Sequence, residues 1–465
     1  MELGVIMSKI VYSKITFLIL FLFSLNSFAS YEARQAGMSP ERLEKIGPSL
    51  SKYVSEGRLP GLITAVARKG KVVHFEVQGY ADVENRIPLK EDSLFRIYSM
   101  SKPITGVALM ILIEEGKVRL NDPVAFYIPE FATTKVMKVS EDGSFLTEKL
   151  NKPITIRDLA THTSGIAYSF TANKQLKKIY EEKKLTPYFF IDNMTAFVDK
   201  EGSFATSTKA FADVCEFSAA LAREAPLMHQ PGTQYTYSMG MDVLGCVIER
   251  ASGQTFDEFL KERIFDPLGM SDTSFEVSED KADRFTNLYA SPMGVRRLSP
   301  ELSDSLSKDK RLMALVDPMK KSPYLGKATL FDGGSGLVSS TRDYLAFAQM
   351  LVNGGSLGKV RILSRKSVEL MSSNHLKPNV INASEMSRYI SGGTGFGITV
   401  GVTTNPGLAG EYGSKGKFYW GGAAATIFWV DPQEELVAVA MTQLLGSPWP
   451  LRTDFEALVY ASIDD

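Results

Sequence analysis

Two runs rich in aliphatic and β-branched residues, Gly61–Arg68 and Lys71–Tyr80, stand either side of Lys69-Gly70. Extended runs around a two-residue turn predict an antiparallel hairpin. Upstream, Tyr31–Tyr53 spaces its apolar residues as an amphipathic helix, and Ser39-Pro40 marks a capped start. Downstream, Ile104–Ile113 is apolar nearly all the way round. That pattern predicts a helix buried on every side, which Glu114-Glu115-Gly116 ends.

Past this helix the chain changes character. Thr155–Gly165 reads as a short helix ending in a glycine cap, and Asp242–Arg250 as an apolar helix closing at Ser252-Gly253. Residues 275–325 are polar and loop-rich, suited to framing a cleft. Extended patterns return late. Gly392–Val402 reads as one strand, followed by Lys417–Ala424, Thr426–Asp431 and Glu435–Met441, then a helix over about Pro450–Ile463. Strands at both ends with helices between predict an α/β (α+β) fold. Its antiparallel sheet is flanked by helices and built from both chain ends. The expected organisation is a sheet domain of residues 30–115 and 328–465, with a mostly helical domain, 116–327, inserted in it.

Composition narrows the function classes. The 465 residues carry a net charge of −1 and no basic cluster, which argues against nucleic acid and anionic membrane surfaces. Lys9 and Lys14 precede an apolar core, Ile15–Phe23, and a small-residue site ending at Ala29. This order predicts a secretory signal peptide, residues 1–29, and a periplasmic or secreted protein with no membrane span after cleavage. The two cysteines, Cys215 and Cys246, fit either a disulfide or two buried thiols. The four histidines are scattered, so no metal is expected.

The candidate chemistry sits where the buried helix starts. In Ser99-Met100-Ser101-Lys102, a hydroxyl and an amine three residues apart share a helix face. A nearby base makes serine a nucleophile, and a desolvated lysine can help supply one. Ser-x-x-Lys recurs at Ser49, Ser278, Ser305, Ser307, Ser356 and Ser414, but there in polar, charged or glycine-rich surroundings. Ser99 alone precedes a fully apolar helix, whose N-terminal amides favour a developing oxyanion. No Gly-x-Ser-x-Gly elbow occurs, so a Ser-His-Asp arrangement is disfavoured. Tyr237, on a loop after Pro231-Gly232, is the other candidate base, although an ordinary packing tyrosine fits the same position.

At this point the chain resembles the serine β-lactamase and penicillin-recognising superfamily, in its class C-like branch, and most of all the family VIII carboxylesterases. The resemblance spans roughly Glu41–Ile463. It rests on Ser99-Met100-Ser101-Lys102, His162-Thr163-Ser164-Gly165, Pro231-Gly232 with Tyr237-Ser238, Gly333-Gly334-Ser335-Gly336-Leu337-Val338-Ser339, and Trp420-Gly421-Gly422. Two departures from the β-lactamases matter. Met239 stands where they carry an asparagine after Tyr-x, and Trp420-Gly421-Gly422 replaces Lys-Thr-Gly. An amide and an ammonium that would bind a β-lactam are thus replaced by apolar groups. Family VIII esterases share Trp-Gly-Gly and a run like Asp242-Val243-Leu244-Gly245.

The resemblance implies cleavage of small-molecule carboxylic esters, of short to medium acyl chains, through an acyl-enzyme on Ser99. Tyr237 with Lys102 would act as base. The backbone N–H groups of Ser99 and Ala423 would form the oxyanion hole, with Trp420, Gly421 and Gly422 lining the substrate side. No cofactor is implied. A β-lactamase, a D-Ala-D-Ala peptidase or an acyltransferase of the same fold remains an alternative.

Overall fold

The computed structural model describes residues 30–185, 211–296, 311–382 and 392–465, with positions 304, 307 and 308 between them. The expected signal peptide lies outside the described residues.

An eight-stranded sheet organises the molecule. Three strands come early: β1 (Gly61–Arg68), β2 (Lys71–Asp82) and β3 (Ile87–Pro88). Five come late: β4 (Thr394–Phe396), β5 (Gly401–Thr403), β6 (Phe418–Gly421), β7 (Ile427–Asp431) and β8 (Leu436–Met441). Their order is β4-β5-β6-β7-β8-β1-β2-β3, with each neighbouring pair antiparallel. The two chain ends meet where β1 pairs β8, from Ile63 opposite Met441 to Arg68 opposite Leu436.

Both faces of the central strands are covered. Alternate side chains point to opposite faces, and here both sets are apolar. Val437, Val439 and Met441 of β8 join Ile63, Ala65 and Ala67 of β1 in one core. Leu436, Ala438 and Ala440 join Leu62 and Val66 in another. Helices α1 (Ile46–Ser55) and α6 (Leu451–Tyr460) cover the second face with Leu50, Tyr53, Phe455 and Val459. Helices α2 (Ser101–Glu114) and α5 (Thr341–Val352) share the first core with α3 (Val214–Glu224) and α4 (Gly240–Ser252). Within α2, every residue from Ser101 to Leu112 is buried, as its apolar circumference requires.

Several elements differ from expectation. The run Gly392–Val402 is not one strand but a tight hairpin, β4–β5, because Thr399 takes a left-handed φ of 65°. The Tyr31–Tyr53 segment is broken, with a one-turn helix at Pro40–Leu43 before α1. The Thr155 helix ends at Ala160, ahead of Gly165, and His162 (φ 56°) makes the reversal. Between the sheet halves, Lys135–Val139 and Phe145–Lys149 form a largely exposed hairpin that the sequence pattern did not announce. Cys215 and Cys246 form a disulfide between α3 and α4.

Candidate active site

The approach to Ser99 is fixed by a buried arginine. The short strand Leu94–Arg96 pairs with Val338–Ser340. Arg96 is fully buried and donates to Asp317 Oδ2 (2.9 Å), the Thr286 carbonyl (2.7 Å) and Ser322 Oγ (3.0 Å). Ile97 N then donates to the Leu337 carbonyl at 3.1 Å. Tyr98 bends the chain with a left-handed φ of 43°, a strained state for a bulky residue. A single 3₁₀ turn, Tyr98–Met100, leads into α2. Ser99 therefore sits in the first turn, where amide N–H groups lack intrahelical acceptors. It keeps 8% of its surface exposed, whereas Lys102, one turn on, keeps none.

Three neutral oxygens surround the Lys102 amine. Nζ donates to Ser99 Oγ (3.1 Å), Tyr168 OH (3.0 Å) and the Gly334 carbonyl (2.7 Å). On the other side of Ser99, the Tyr237 hydroxyl lies 2.6 Å from Oγ. Lys102 Nζ stands 4.8 Å from the centre of the Tyr237 ring. The three residues singled out from sequence thus converge within hydrogen-bond reach of one hydroxyl. Tyr168 was not foreseen: it follows Gly165 by three residues in no recognisable spacing, and only the folded loop brings it to Lys102.

The His162-Thr163-Ser164-Gly165 stretch holds Tyr237 in place. The His162 carbonyl accepts from Thr236 N (2.8 Å), and the Thr163 carbonyl from Gly232 N (2.7 Å). His162 Nδ1 receives Ser238 N at 3.2 Å, and its ring packs 4.6 Å from the Tyr237 ring. Thr171 Oγ1 donates to the Tyr237 carbonyl at 2.8 Å. Burial, then the Lys102 charge, pushes the His162 pKa well below its ordinary value, so this ring is neutral near pH 7 and acts as a platform. Burial pushes the Tyr168 phenol well up, reinforced by Asp242, Tyr237 and Asp332, so it remains a phenol.

The fourth wall is the end of β6. The Trp420 ring packs 5.7 Å from Tyr237 and 5.2 Å from Phe396, with His162 also against Phe396 at 5.2 Å. Gly422 follows, its N–H donating to the Thr426 carbonyl at 2.8 Å. A Cβ there would stand 2.4 Å from the Ile97 carbonyl, so only glycine lets this turn press against the Ser99 segment. Ala423 packs beside Tyr98 in a small cluster next to Ser99. Met239 is fully buried in the main core.

Beneath Lys102 lies a pair of buried acids. Asp242 and Asp332 are both inaccessible to solvent, and Gly334 N donates to both, at 3.1 Å to Asp242 Oδ1 and 2.7 Å to Asp332 Oδ1. Among the described residues no group of His, Cys, Asp or Glu could hold a metal ion, and no helix is long and apolar enough to cross a membrane.

The chain is a serine hydrolase of the β-lactamase fold, and its buried Ser-x-x-Lys, facing tyrosine and glycine-bearing strand end come together at one place. The chain belongs to the β-lactamase family, whose model matches residues 46–461. It is 32% identical over 398 residues to an uncharacterized Mycobacterium tuberculosis protein, covering 85% of this chain and 88% of that one. It is 29% identical to esterase EstB of Burkholderia gladioli, covering 87% and 92% of the two chains. Among solved structures, EstCE1, described as a hydrolase with promiscuous acyltransferase activity, superposes with a TM-score of 0.69 at 24% identity, covering 90% of this chain and 99% of that one.

Proposed function

We propose that this protein is a carboxylesterase acting on small-molecule esters of short to medium acyl chains. The observation that carries the reading is the placement of Tyr237 OH at 2.6 Å and Lys102 Nζ at 3.1 Å from Ser99 Oγ, with Trp420 beside them. Tyr237, together with Lys102, takes the Ser99 proton as Oγ bonds to the ester carbonyl carbon. The oxyanion gathers on the backbone N–H groups of Ser99 and Ala423, each contributing about 3–4 kcal/mol to the transition state. Collapse expels the alkoxide, which receives the proton from Tyr237. Water then attacks the acyl-enzyme with the same tyrosine as base, and Ser99 is restored.

Trp420 and Met239, standing where β-lactamases carry a lysine and an asparagine, support esters over β-lactams. The disulfide suits an oxidising compartment, in keeping with the expected secretion signal. The test is a side-by-side assay on graded p-nitrophenyl esters and a cephalosporin. Ester turnover far above cephalosporin turnover, abolished in a folded Ser99→Ala, is expected. Comparable cephalosporin turnover, or near-normal ester turnover in Ser99→Ala, would overturn the reading. Acyl transfer is a second reading, favoured by the apolar site and by 26% identity to acyltransferase calJ of Penicillium decumbens. Added alcohol that diverts the acyl group from acid to new ester would support it.

A further inference from the structure

The charge on Lys102 has no obvious counterpart. Its three partners, Ser99 Oγ, Tyr168 OH and the Gly334 carbonyl, are all formally neutral, and the amine is wholly buried. A buried ammonium without a counter-charge is severely penalised. The carboxyl groups behind the Gly334 peptide are Asp242, on α4, and Asp332, on the loop leading to Val338. A Cβ at Gly334 would stand 2.7 Å from Tyr168 OH and 3.1 Å from each Asp242 oxygen, which measures how tightly these groups crowd together. The groups facing Asp242 are therefore Lys102 from α2, Tyr168 from the loop after Gly165, and Asp332 with Gly334 from the loop before Val338; Tyr237 and the neutral His162 also border Lys102.

Two ionised carboxylates in this space would leave one excess negative charge in the core. Close carboxylates in a low dielectric resolve this by sharing one proton. The hydrogen bonds say which one keeps it. Asp332 accepts from Gly334 N (2.7 Å), Ser335 N (2.9 Å) and Ser335 Oγ (2.5 Å), a set that stabilises a carboxylate. Among the described residues Asp242 accepts only the longer Gly334 N bond and its Oδ2 accepts from no donor, while its carboxyl group as a whole meets that of Asp332.

We propose that Asp242 is a neutral carboxylic acid donating its proton to Asp332, and that this singly charged pair is the counter-ion of Lys102, positioning the amine through the Gly334 peptide they jointly hold. Burial first, then the Asp332 charge, raises the Asp242 pKa well above the ordinary carboxylate range, in the same direction. The two acids are positioning residues, since neither touches Ser99. The catalytic half of the proposal rests on Lys102 being part of the base, as read above.

Two measurements test it. The first needs no substrate: infrared spectroscopy of the whole protein at neutral pH should show the C=O stretch of a buried carboxylic acid, lost in Asp242→Asn, which leaves Asp332 as a lone carboxylate. Absence of the band in the wild type, or its persistence in Asp242→Asn, would overturn the proposal. The second is kinetic. An asparagine at 242 mimics the neutral acid, so Asp242→Asn should lose less than tenfold in kcat. Asp332→Asn removes the carboxylate that Gly334 and Ser335 hold in place, so it should lose more than a hundredfold, with the alkaline limb of kcat/KM moved to lower pH. Equal losses with unmoved pH profiles would overturn it. If esterase activity itself is missing, the infrared result still stands or falls alone, which separates this failure from failure of the functional reading.

Discussion

The chemistry converges on one hydroxyl, and each neighbour of Ser99 makes a separable prediction. Tyr237→Phe keeps the ring contacts with His162 and Trp420 but removes the oxygen 2.6 Å from Oγ. It should lower kcat on p-nitrophenyl esters by about 10²–10⁴-fold, the usual worth of a general base, with an unchanged melting temperature. A loss under tenfold would leave Lys102 as the sole base. Gly422→Ala drives a methyl group against the Ile97 carbonyl and Thr426 Oγ1. The Ala423 amide must then shift, and kcat should fall by about 10²–10³-fold if that amide binds the oxyanion. Unaltered kcat in a folded variant would remove Ala423 from the oxyanion hole. The meeting of Ser99 with Lys102 was legible because their spacing and the apolar helix mark them, whereas Tyr237 stood out only through the family resemblance. Tyr168 and Asp332 were not legible, since their roles exist only where separate loops cross under Lys102.

Among the elements, the helices were clearer than the short strands. An apolar circumference or a capped amphipathic face is a strong local signal, as in α2 and α4. The hairpin β4–β5 was obscured because its turn uses Thr399 at φ 65° where glycine or asparagine would have announced it. The hairpin Lys135–Lys149 was obscured because its second strand is wholly exposed, leaving no alternation of apolar and polar positions. Pairing of the cysteines was open in the sequence and depended on how α3 packs on α4. The Cys215–Cys246 bond closes a loop spanning 31 residues of separation, so Cys215→Ala/Cys246→Ala should unfold in urea with about 3–4 kcal/mol less stability. Since α4 follows Tyr237 directly, ester turnover should also become more heat-labile. In β2, the His74 ring meets Thr64 Oγ1 at 2.7 Å, and burial lowers its pKa to about 4. The unfolded chain binds this proton near pH 6.5 and the folded chain does not, so stability falls as pH drops from about 6.5 to 4. His74→Gln should flatten that part of the curve in chemical denaturation at stepped pH.

At the scale of the whole molecule, the sheet was legible as an assembly of both chain ends, because extended patterns cluster before residue 90 and after residue 390. Its partner surfaces were legible only as apolar content, not as register. The closing pair is β1 with β8, and both strands are buried throughout. Truncation after Asp431 removes β8 and α6 and exposes β1 on its paired edge and one face. Such a chain should show no cooperative unfolding transition by circular dichroism.

That closure sets a timetable for biosynthesis. Roughly 380 residues separate Ile63 from its partner Met441. At about 5–20 residues per second, on the order of 20–70 s pass between the synthesis of one and the other. Throughout that interval an emerging polypeptide carries a greasy strand and an all-round apolar helix with no lasting shelter for either. Holding factors that shield nascent segments are therefore expected to govern the yield of this protein in a cell, more than the stability of the finished molecule does.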